Sequence, residues 1–156
     1  MARFYTRAEL LGQRKIWKAE GKRVVFTNGC YDLLHPGHIR LLEQARSLGD
    51  VLILALNSDA SVRRAKGPSR PFTPEGERAE MAQALEAVDA VTLFEEDTPR
   101  ELISEVLPDV LVKGADWSHF IAGKEEVEAS GGRVLTVAME AGYSTTNIIE
   151  LLGQQP

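Results

Sequence analysis

The chain has 156 residues, 44% of them apolar, which is enough for one compact domain and too little for two. We therefore expect a single domain over residues 1–156, with a peripheral N-terminal helix in residues 1–21 and the core in residues 22–152. A net charge of −5 and a pI near 5.3 argue against non-specific nucleic-acid binding, although a local basic pocket can still hold phosphate.

The cysteine and histidine content excludes two further classes of site. One cysteine, Cys30, cannot form an internal disulfide, and three histidines show no zinc-binding spacing, so no metal ligands are predicted. The N-terminus has no apolar signal-peptide stretch, and no run of about 18 apolar residues occurs. We expect a cytoplasmic protein that binds neither nucleic acid nor membrane.

The first predicted element is a helix over residues 6–20. Thr6 is its N-cap candidate, and the apolar residues that follow have a loose helical spacing. They are Leu10, Leu11, Ile16 and Trp17. Nothing in this segment suggests chemistry, so we expect it to cover one edge of a sheet.

The next segment carries two histidines at a strand-to-helix junction. The apolar run 24–26 predicts a buried strand, Asn28-Gly29 breaks it, and a helical pattern begins after His35-Pro36-Gly37-His38. Free backbone N–H groups and the positive end of a helix dipole favour bound phosphate at such a junction. Gly37 has no side chain to hold a ligand away from the backbone. The alternative is that both histidines only cap the helix or pack.

Strands and helices then alternate along the chain. Apolar runs lie at 51–56, 90–94, 110–112 and 134–137, and helical patterns at 38–48, 75–86, 99–107 and 124–130. Repeated β-α units predict an α/β, Rossmann-like doubly wound fold, with five parallel strands in the order 3-2-1-4-5 and helices on both faces. Ligands of such sheets lie at the carboxyl ends of the strands where the order reverses. This order brings loop 28–38 opposite loop 113–120.

The sequence lacks two common nucleotide-binding motifs. Neither G-x-G-x-x-G after the first strand nor G-x-x-x-x-G-K-[ST] occurs, so a dinucleotide site and a P-loop lose support.

Residues 61–74 form the longest stretch predicted as irregular. It contains Arg63, Arg64, Lys66 and Arg70 among glycine and prolines, and long loops in compact domains are commonly functional. We expect a mobile lid that contacts phosphates, chiefly through Lys66. A solvated charged loop is the alternative.

Two later segments offer further phosphate contacts. After the fourth strand, Gly114 permits close backbone approach and Lys113 can meet a phosphate, whereas a plain loop with one buried tryptophan is the alternative. Near the end, Ser144, Thr145 and Thr146 precede a short amphipathic helix. Hydroxyls and exposed amides there can hold phosphates. The alternative is that one hydroxyl only caps the helix, the common role of serine and threonine at that place.

These motifs resemble a known superfamily. The pattern Thr-Asn-Gly-x-[aromatic]-Asp-x-x-His-x-Gly-His, at 27–38, resembles the cytidylyl- and adenylyltransferases of the nucleotidyltransferase superfamily. Further motifs are similar to the heptose 1-phosphate adenylyltransferases of ADP-heptose synthesis, and the similarity covers residues 22–152. They lie at 57–64, 66–67, 70–71, 94–99, 111–116 and 144–149. Ala115 and Trp117 stand where that family more often has Gly and Tyr.

The resemblance implies a catalytic core and a set of site residues. His35, His38 and Lys66 are the expected catalytic residues, with both histidines on the oxygens around the α-phosphorus of ATP. The expected nucleotide-binding residues are Thr27, Asn28, Gly29, Tyr31, Asp32, Gly37, Arg63, Lys113, Gly114, Asp116, Ser144, Thr145 and Thr146.

The resemblance also implies the reaction. ATP and D-glycero-β-D-manno-heptose 1-phosphate would give ADP-heptose and pyrophosphate for lipopolysaccharide core synthesis, with Mg²⁺ bridging the ATP phosphates and a homo-oligomer, dimeric or larger, as the assembly. Asp32 is expected to orient the site or to engage the metal through water. Cytidylyl transfer to glycerol 3-phosphate, adenylyl transfer to phosphopantetheine and a non-catalytic nucleotide-sensing module are the alternatives. The stretch before 144–146 lacks the arginine of related cytidylyltransferases, which weakens the first of these.

Overall fold

The computed structural model of the protein describes residues 1–115, 120–138 and 142–154. Its strands are β1 (Arg3–Phe4), β2 (Val24–Gly29), β3 (Val51–Asn57), β4 (Ala90–Phe94), β5 (Val110–Gly114) and β6 (Arg133–Val137). Its helices are α1 (Arg7–Ala19), α2 (Pro36–Arg46), α3 (Asp59–Lys66), α4 (Glu75–Gln83), α5 (Arg100–Val106), α6 (Lys124–Ala129) and α7 (Thr145–Gly153). Among the described residues, no helix is long and apolar enough to cross a membrane.

The six strands form one parallel sheet in the order β1-β4-β3-β2-β5-β6. The predicted α/β class is confirmed, but the predicted number of five strands is wrong. The added strand, β1, has two residues and pairs with β4 at the sheet edge, so it is too short to leave a periodic pattern in the sequence. The other five strands follow one another in the predicted order. The order reverses at β2, between β3 and β5.

The four inner strands, β2 to β5, are largely buried from both sides, as is typical of a parallel sheet. Val24 and Phe26 of β2 pack in a cluster with residues of α1, α5 and α6, whereas Val25 packs in a second cluster with residues of α2 and α4. Because side chains alternate along a strand, β2 contributes to both layers. The predicted N-terminal helix is confirmed as α1, and the side-chain oxygen of Thr6 accepts a hydrogen bond from the amide of Glu9 at 3.3 Å.

The prediction of one irregular stretch over residues 61–74 is wrong for its first half. Residues 59–66 form helix α3. Ser58 caps the start of this helix, with the serine oxygen accepting from the amide of Ser61 at 3.2 Å. Three cations in its last turn also suit the negative end of the helix dipole. Only residues 67–74 are irregular, and the mobility expected of this segment stays a prediction.

The buried arginine Arg78 of α4 joins the loops at the carboxyl ends of β2 and β3. Its side chain donates to the backbone oxygens of Cys30, Asn57 and Thr73, each at 2.8 Å. It also donates to Asp59 Oδ1 at 2.9 Å, and the residue is only 1% exposed. One guanidinium therefore fixes the positions of the segments that follow β2 and β3 and precede α4.

We expect Arg78→Met to lower the free energy of unfolding by about 3 to 5 kcal/mol, because it leaves a carboxylate and buried carbonyls without their donor. Urea denaturation followed by circular dichroism measures the loss. Arg100→Met is the matched control. Arg100 also pairs with one carboxylate, that of Glu126 at 2.8 Å, but its side chain is 65% exposed. That control should cost much less, because exposed ion pairs contribute little to stability, and equal losses in the two variants would contradict the role given to Arg78.

Candidate functional site

The two histidines of the motif lie together at the start of α2. His35 is the N-cap residue and Pro36 occupies the first turn. The backbone N–H of His35 donates to Nδ1 of His38 at 3.2 Å. The two rings stack with their centroids 3.8 Å apart and their planes 26° from parallel. The helix start therefore presents two imidazoles beside the positive end of the helix dipole.

Both imidazoles are held neutral. Burial lowers the pKa of His35. The pKa of His38 is lowered to about 4, mainly by burial and to a smaller extent by its electrostatic interaction with His35. Because Nδ1 of the neutral His38 ring accepts the His35 N–H, its single proton lies on Nε2. His38 thus offers one N–H donor of defined position, as the charge-stabilising role predicted for it requires.

Tyr31 and two glycines support this pair. The Tyr31 ring lies 4.6 Å from the His38 ring, centroid to centroid, and burial raises the pKa of its hydroxyl. A Cβ on Gly29 would lie 2.7 Å from Tyr31 Cε2, and one on Gly37 would lie 2.9 Å from His35 Nδ1. Both glycines are therefore needed for ring packing, which adds to the close ligand approach predicted for Gly37.

The predicted residues on β2 and β5 include one pair that joins the two strand ends and one side chain that is used within the sheet. Lys113 donates through Nζ to Asn28 Oδ1, which joins the carboxyl ends of the two neighbouring strands. Thr27 is 1% exposed and its hydroxyl donates to the Val112 carbonyl at 3.0 Å, so its side chain is used within the sheet. Gly114 is the last residue of β5.

The predicted residue Asp116 and the neighbouring Trp117 lie outside the described residues.

Asp32 holds the segment that follows α3. Its carboxylate accepts from Arg70 Nε at 2.7 Å, from the Thr73 amide at 2.8 Å and from the Phe72 amide at 3.0 Å. Burial opposes ionisation, but the two amides and the guanidinium outweigh it and lower the pKa of Asp32. Both oxygens accept hydrogen bonds in this way, which fits the predicted role of Asp32 in orienting the site, and its contact with a metal through water stays a prediction.

The cations of α3 differ in their relation to the loop after β2. The positive charge of Lys66 acts on the Cys30 thiol, which places Lys66 near the end of β2. Burial nevertheless raises the pKa of Cys30, so the thiol stays protonated at neutral pH and is a poor nucleophile. Arg63 is exposed, and in the described part of the chain no hydrogen bond or ion pair joins it to another predicted site residue.

The start of α7 lies against the same loop. Ser144 caps the helix, with its oxygen accepting from the Asn147 amide at 2.9 Å, so its side chain fills the cap role that was the alternative for this segment. The hydroxyl of Thr145 donates to the Leu33 carbonyl at 3.0 Å, and Thr146 is exposed. This contact brings the N-terminus of α7 next to the loop that leads into α2.

Sequence reasoning missed two residues and one contact of this region. Arg78 carried a usable signal, since it lies on the face of α4 that buries Ala79 and Ala82. An arginine on an apolar helix face calls for a buried partner. Tyr143, whose ring centroid lies 6.1 Å from that of His35, and the pairing of Arg70 with Asp32 left no local pattern.

We expect the His38 imidazole to titrate with a pKa of about 4 instead of the ordinary 6.5, as the Nε2–H tautomer. Because the pKa is lower in the folded state, its contribution to stability is complete above about pH 6.5 and is lost as the pH falls towards 4. Nitrogen-15 NMR of the imidazoles, with His38→Gln to assign the signal, measures both properties. A midpoint near 6.5 or an Nδ1–H tautomer would contradict this geometry.

Comparison with known proteins agrees with the site. The sequence profile of the family described as Cytidylyltransferase-like matches residues 26–151. The bifunctional protein HldE of Geobacter sulfurreducens is 58% identical over 134 residues, which are 85% of this chain and 27% of that protein. HldE of Koribacter versatilis is 53% identical over 150 residues, covering 96% of this chain and 31% of that protein. The chain thus spans less than a third of the length of these relatives.

Solved structures show the same fold. The lipopolysaccharide core biosynthesis protein of Thermoplasma volcanium superposes with a TM-score of 0.63 at 30% identity, over 77% of this chain and 98% of that one. Pantoate-beta-alanine ligase of Francisella tularensis superposes with a TM-score of 0.67 at 14% identity, over 99% and 80% of the two chains, which shows the fold alone. The chain belongs to the cytidylyltransferase-like family of the nucleotidyltransferase superfamily, as the motif around His35 and His38 predicted.

Proposed function

We propose that the chain transfers AMP from ATP to D-glycero-β-D-manno-heptose 1-phosphate, giving ADP-heptose and pyrophosphate for lipopolysaccharide core synthesis. The observation that carries the proposal is the stacked, neutral His35 and His38 pair at the start of α2. The heptose acceptor is supported by the motif resemblance and by the identity to HldE proteins. The similarity to a structure described as a lipopolysaccharide core biosynthesis protein adds to this support.

The reaction needs no protein nucleophile. A sugar 1-phosphate oxygen is already anionic near neutral pH, so it attacks the α-phosphorus of ATP while the bond to the bridging oxygen breaks and pyrophosphate leaves. Catalysis then consists of positioning and charge stabilisation. His38 donates its Nε2–H, with His35 beside it, to the oxygens on which negative charge develops. The positive end of the α2 dipole adds to this field.

Further cations and hydroxyls are proposed to hold the remaining phosphates. Lys66 lies near the end of β2 and Lys113 lies at the end of β5. Both therefore flank the cleft at the carboxyl ends of these two strands. Thr146 is exposed at the start of α7, where backbone N–H groups favour anions. We assign these groups to the β- and γ-phosphates and to the acceptor phosphate.

Mg²⁺ is proposed to enter as part of the ATP complex. Within the ranges that the structure describes, no group of three or more His, Cys, Asp or Glu side chains could hold a metal ion, and Asp32 is occupied by the segment after α3. Magnesium commonly binds through substrate phosphates with few protein ligands. We therefore treat it as a component of the substrate.

Assembly into a homo-oligomer is also part of the proposal. Leu151 and Leu152 of α7 are 60% and 64% exposed, and the described part of this apolar helix has no buried residue. Covering such side chains would stabilise an association between copies of the chain.

Cytidylyl transfer to glycerol 3-phosphate is the second candidate, favoured by the description of the family. A pyrophosphate-release assay with ATP or CTP against heptose 1-phosphate or glycerol 3-phosphate separates the two. Release with ATP and heptose 1-phosphate supports the adenylyl proposal, and release only with CTP contradicts it. If no pair releases pyrophosphate while nucleotide binds, both reactions are contradicted, and the assay is repeated with phosphopantetheine to separate a third transferase from a sensing module.

We expect His38→Ala, and separately His35→Ala, to lower kcat about 10²-fold or more, the loss typical of one charge-stabilising donor. His38→Gln should retain more turnover than His38→Ala, because its amide still offers an N–H donor. Cys30→Ser is the control and should keep most of the activity, since the thiol makes no bond in the reaction. Unchanged kcat in a folded His38→Ala variant would remove the assigned role.

A further inference from the structure

Arg70 uses one edge of its guanidinium in contacts with the described residues. Its Nε donates to Asp32 Oδ2 at 2.7 Å, and the group lies 5.3 Å from the Phe72 ring centroid. Arginine has five N–H donors in a planar fork. In the described part of the chain, no hydrogen bond is made by Nη1 or Nη2 of Arg70, and its side chain is 11% exposed.

The carboxylate that holds Arg70 is built into the fold. The Asp32 side chain is 0% exposed and accepts from two backbone amides besides the guanidinium. The Thr73 hydroxyl donates to the Asp32 carbonyl at 3.1 Å and closes the arrangement. Because Nε is fixed, the plane of the guanidinium and the direction of its free edge are fixed as well.

Arg70 lies on the segment between α3 and α4, which follows β3 in the chain. The charges of Lys66, Arg78 and Arg70 all act on Cys30, the first residue of the loop after β2. The Arg78 side chain donates to backbone carbonyls and to Asp59, so of these three cations Lys66 and Arg70 are the two that the described residues leave available to an anion on this side. Helix α7 meets the same loop from a segment that follows β6, on the other side of β2 in the sheet.

We propose that Asp32 is a positioning residue that holds Arg70 by Nε so that Nη1 and Nη2 bind the phosphate of the acceptor in a bidentate manner. This inference rests on the proposed function and names the ligand of one part of the site, a phosphate monoester dianion. The triphosphate then occupies the side formed by α2 and α7. The two substrates are thereby brought together from opposite sides of the loop after β2.

Arg70→Lys separates this proposal from a purely structural ion pair. Lysine can pair with Asp32 and keep the segment in place, but its single ammonium cannot also present a planar pair of donors to phosphate. Asp32→Asn makes the converse change, because Arg70 remains but loses the charge that orients it. Arg133→Gln is the matched control, since Arg133 is exposed on β6 at the amino end of the strand, opposite the site.

The binding experiment follows the Arg70 Nε–H signal by nitrogen-15 NMR during titration with inorganic phosphate. The signal is assigned by its loss in Arg70→Lys. We expect it to shift with phosphate in the wild type and in Arg133→Gln. The apparent Kd for phosphate, from other amide signals near the site, should rise about tenfold or more in Arg70→Lys and in Asp32→Asn.

The kinetic experiment measures the two substrates separately. In Arg70→Lys the KM for the sugar 1-phosphate should rise about tenfold or more, with the KM for ATP nearly unchanged. Thermal unfolding of each variant shows that the fold persists, and Arg70→Lys decides the matter if Asp32→Asn does not fold. Wild-type phosphate affinity in Arg70→Lys, or an equal rise in both KM values, would overturn the proposal. Absence of turnover with a phosphate-induced shift of Arg70 intact would refute the proposed reaction alone.

Discussion

The buried guanidinium of Arg78 is the interaction on which the site depends. It contacts the residue after β2, the last residue of β3 and the start of α3. These carbonyls lie at the end of a parallel sheet, where the hydrogen-bonding pattern of the strands has ended and each group needs another donor. A single side chain with several rigidly spaced N–H groups satisfies them together, and in doing so sets the course of the loop that carries Cys30, Asp32 and His35.

Burial of that loop determines its chemistry. It keeps the Cys30 thiol protonated and keeps both imidazoles neutral. A neutral imidazole whose Nδ1 already accepts a backbone N–H has one remaining donor in one direction. Such a group stabilises developing charge without reorganising during the reaction, and it cannot act as a strong acid at neutral pH. The same desolvation thus favours charge stabilisation over covalent or acid-base catalysis.

Local patterns predicted the parts of the fold and site that depend on local interactions. Apolar runs identified the five longer strands, and the histidine motif identified the junction at α2, because strand burial and helix starts leave signals within a few residues. The same reasoning missed β1, which makes only two register pairs with β4. It also missed helix α3 and predicted an irregular segment there. Charged residues followed by Gly67 and Pro68 resemble a loop when the capping serine is not recognised.

The missed contacts have a different physical origin. Arg70 reaches Asp32 across 38 positions of the chain, and Arg78 reaches Cys30 across 48. No periodicity links residues so far apart, and each arginine alone resembles a surface cation. The sequence therefore indicated which residue types surround the cleft. It did not indicate which of them form hydrogen bonds within the fold and which are available to a ligand.

Counting donors separates those two roles. Arg78 and Arg70 both pair with an aspartate near the carboxyl ends of the strands, yet among the described residues the Arg78 side chain makes four hydrogen bonds and that of Arg70 makes one. Removing an arginine from water is favourable only when its N–H groups find partners. Arg78 meets that condition within the fold. Arg70 is held in a fixed direction by Nε, while its Nη1 and Nη2 make no hydrogen bond to the described part of the chain, and an anion in the cleft is the partner that would complete its hydrogen bonding.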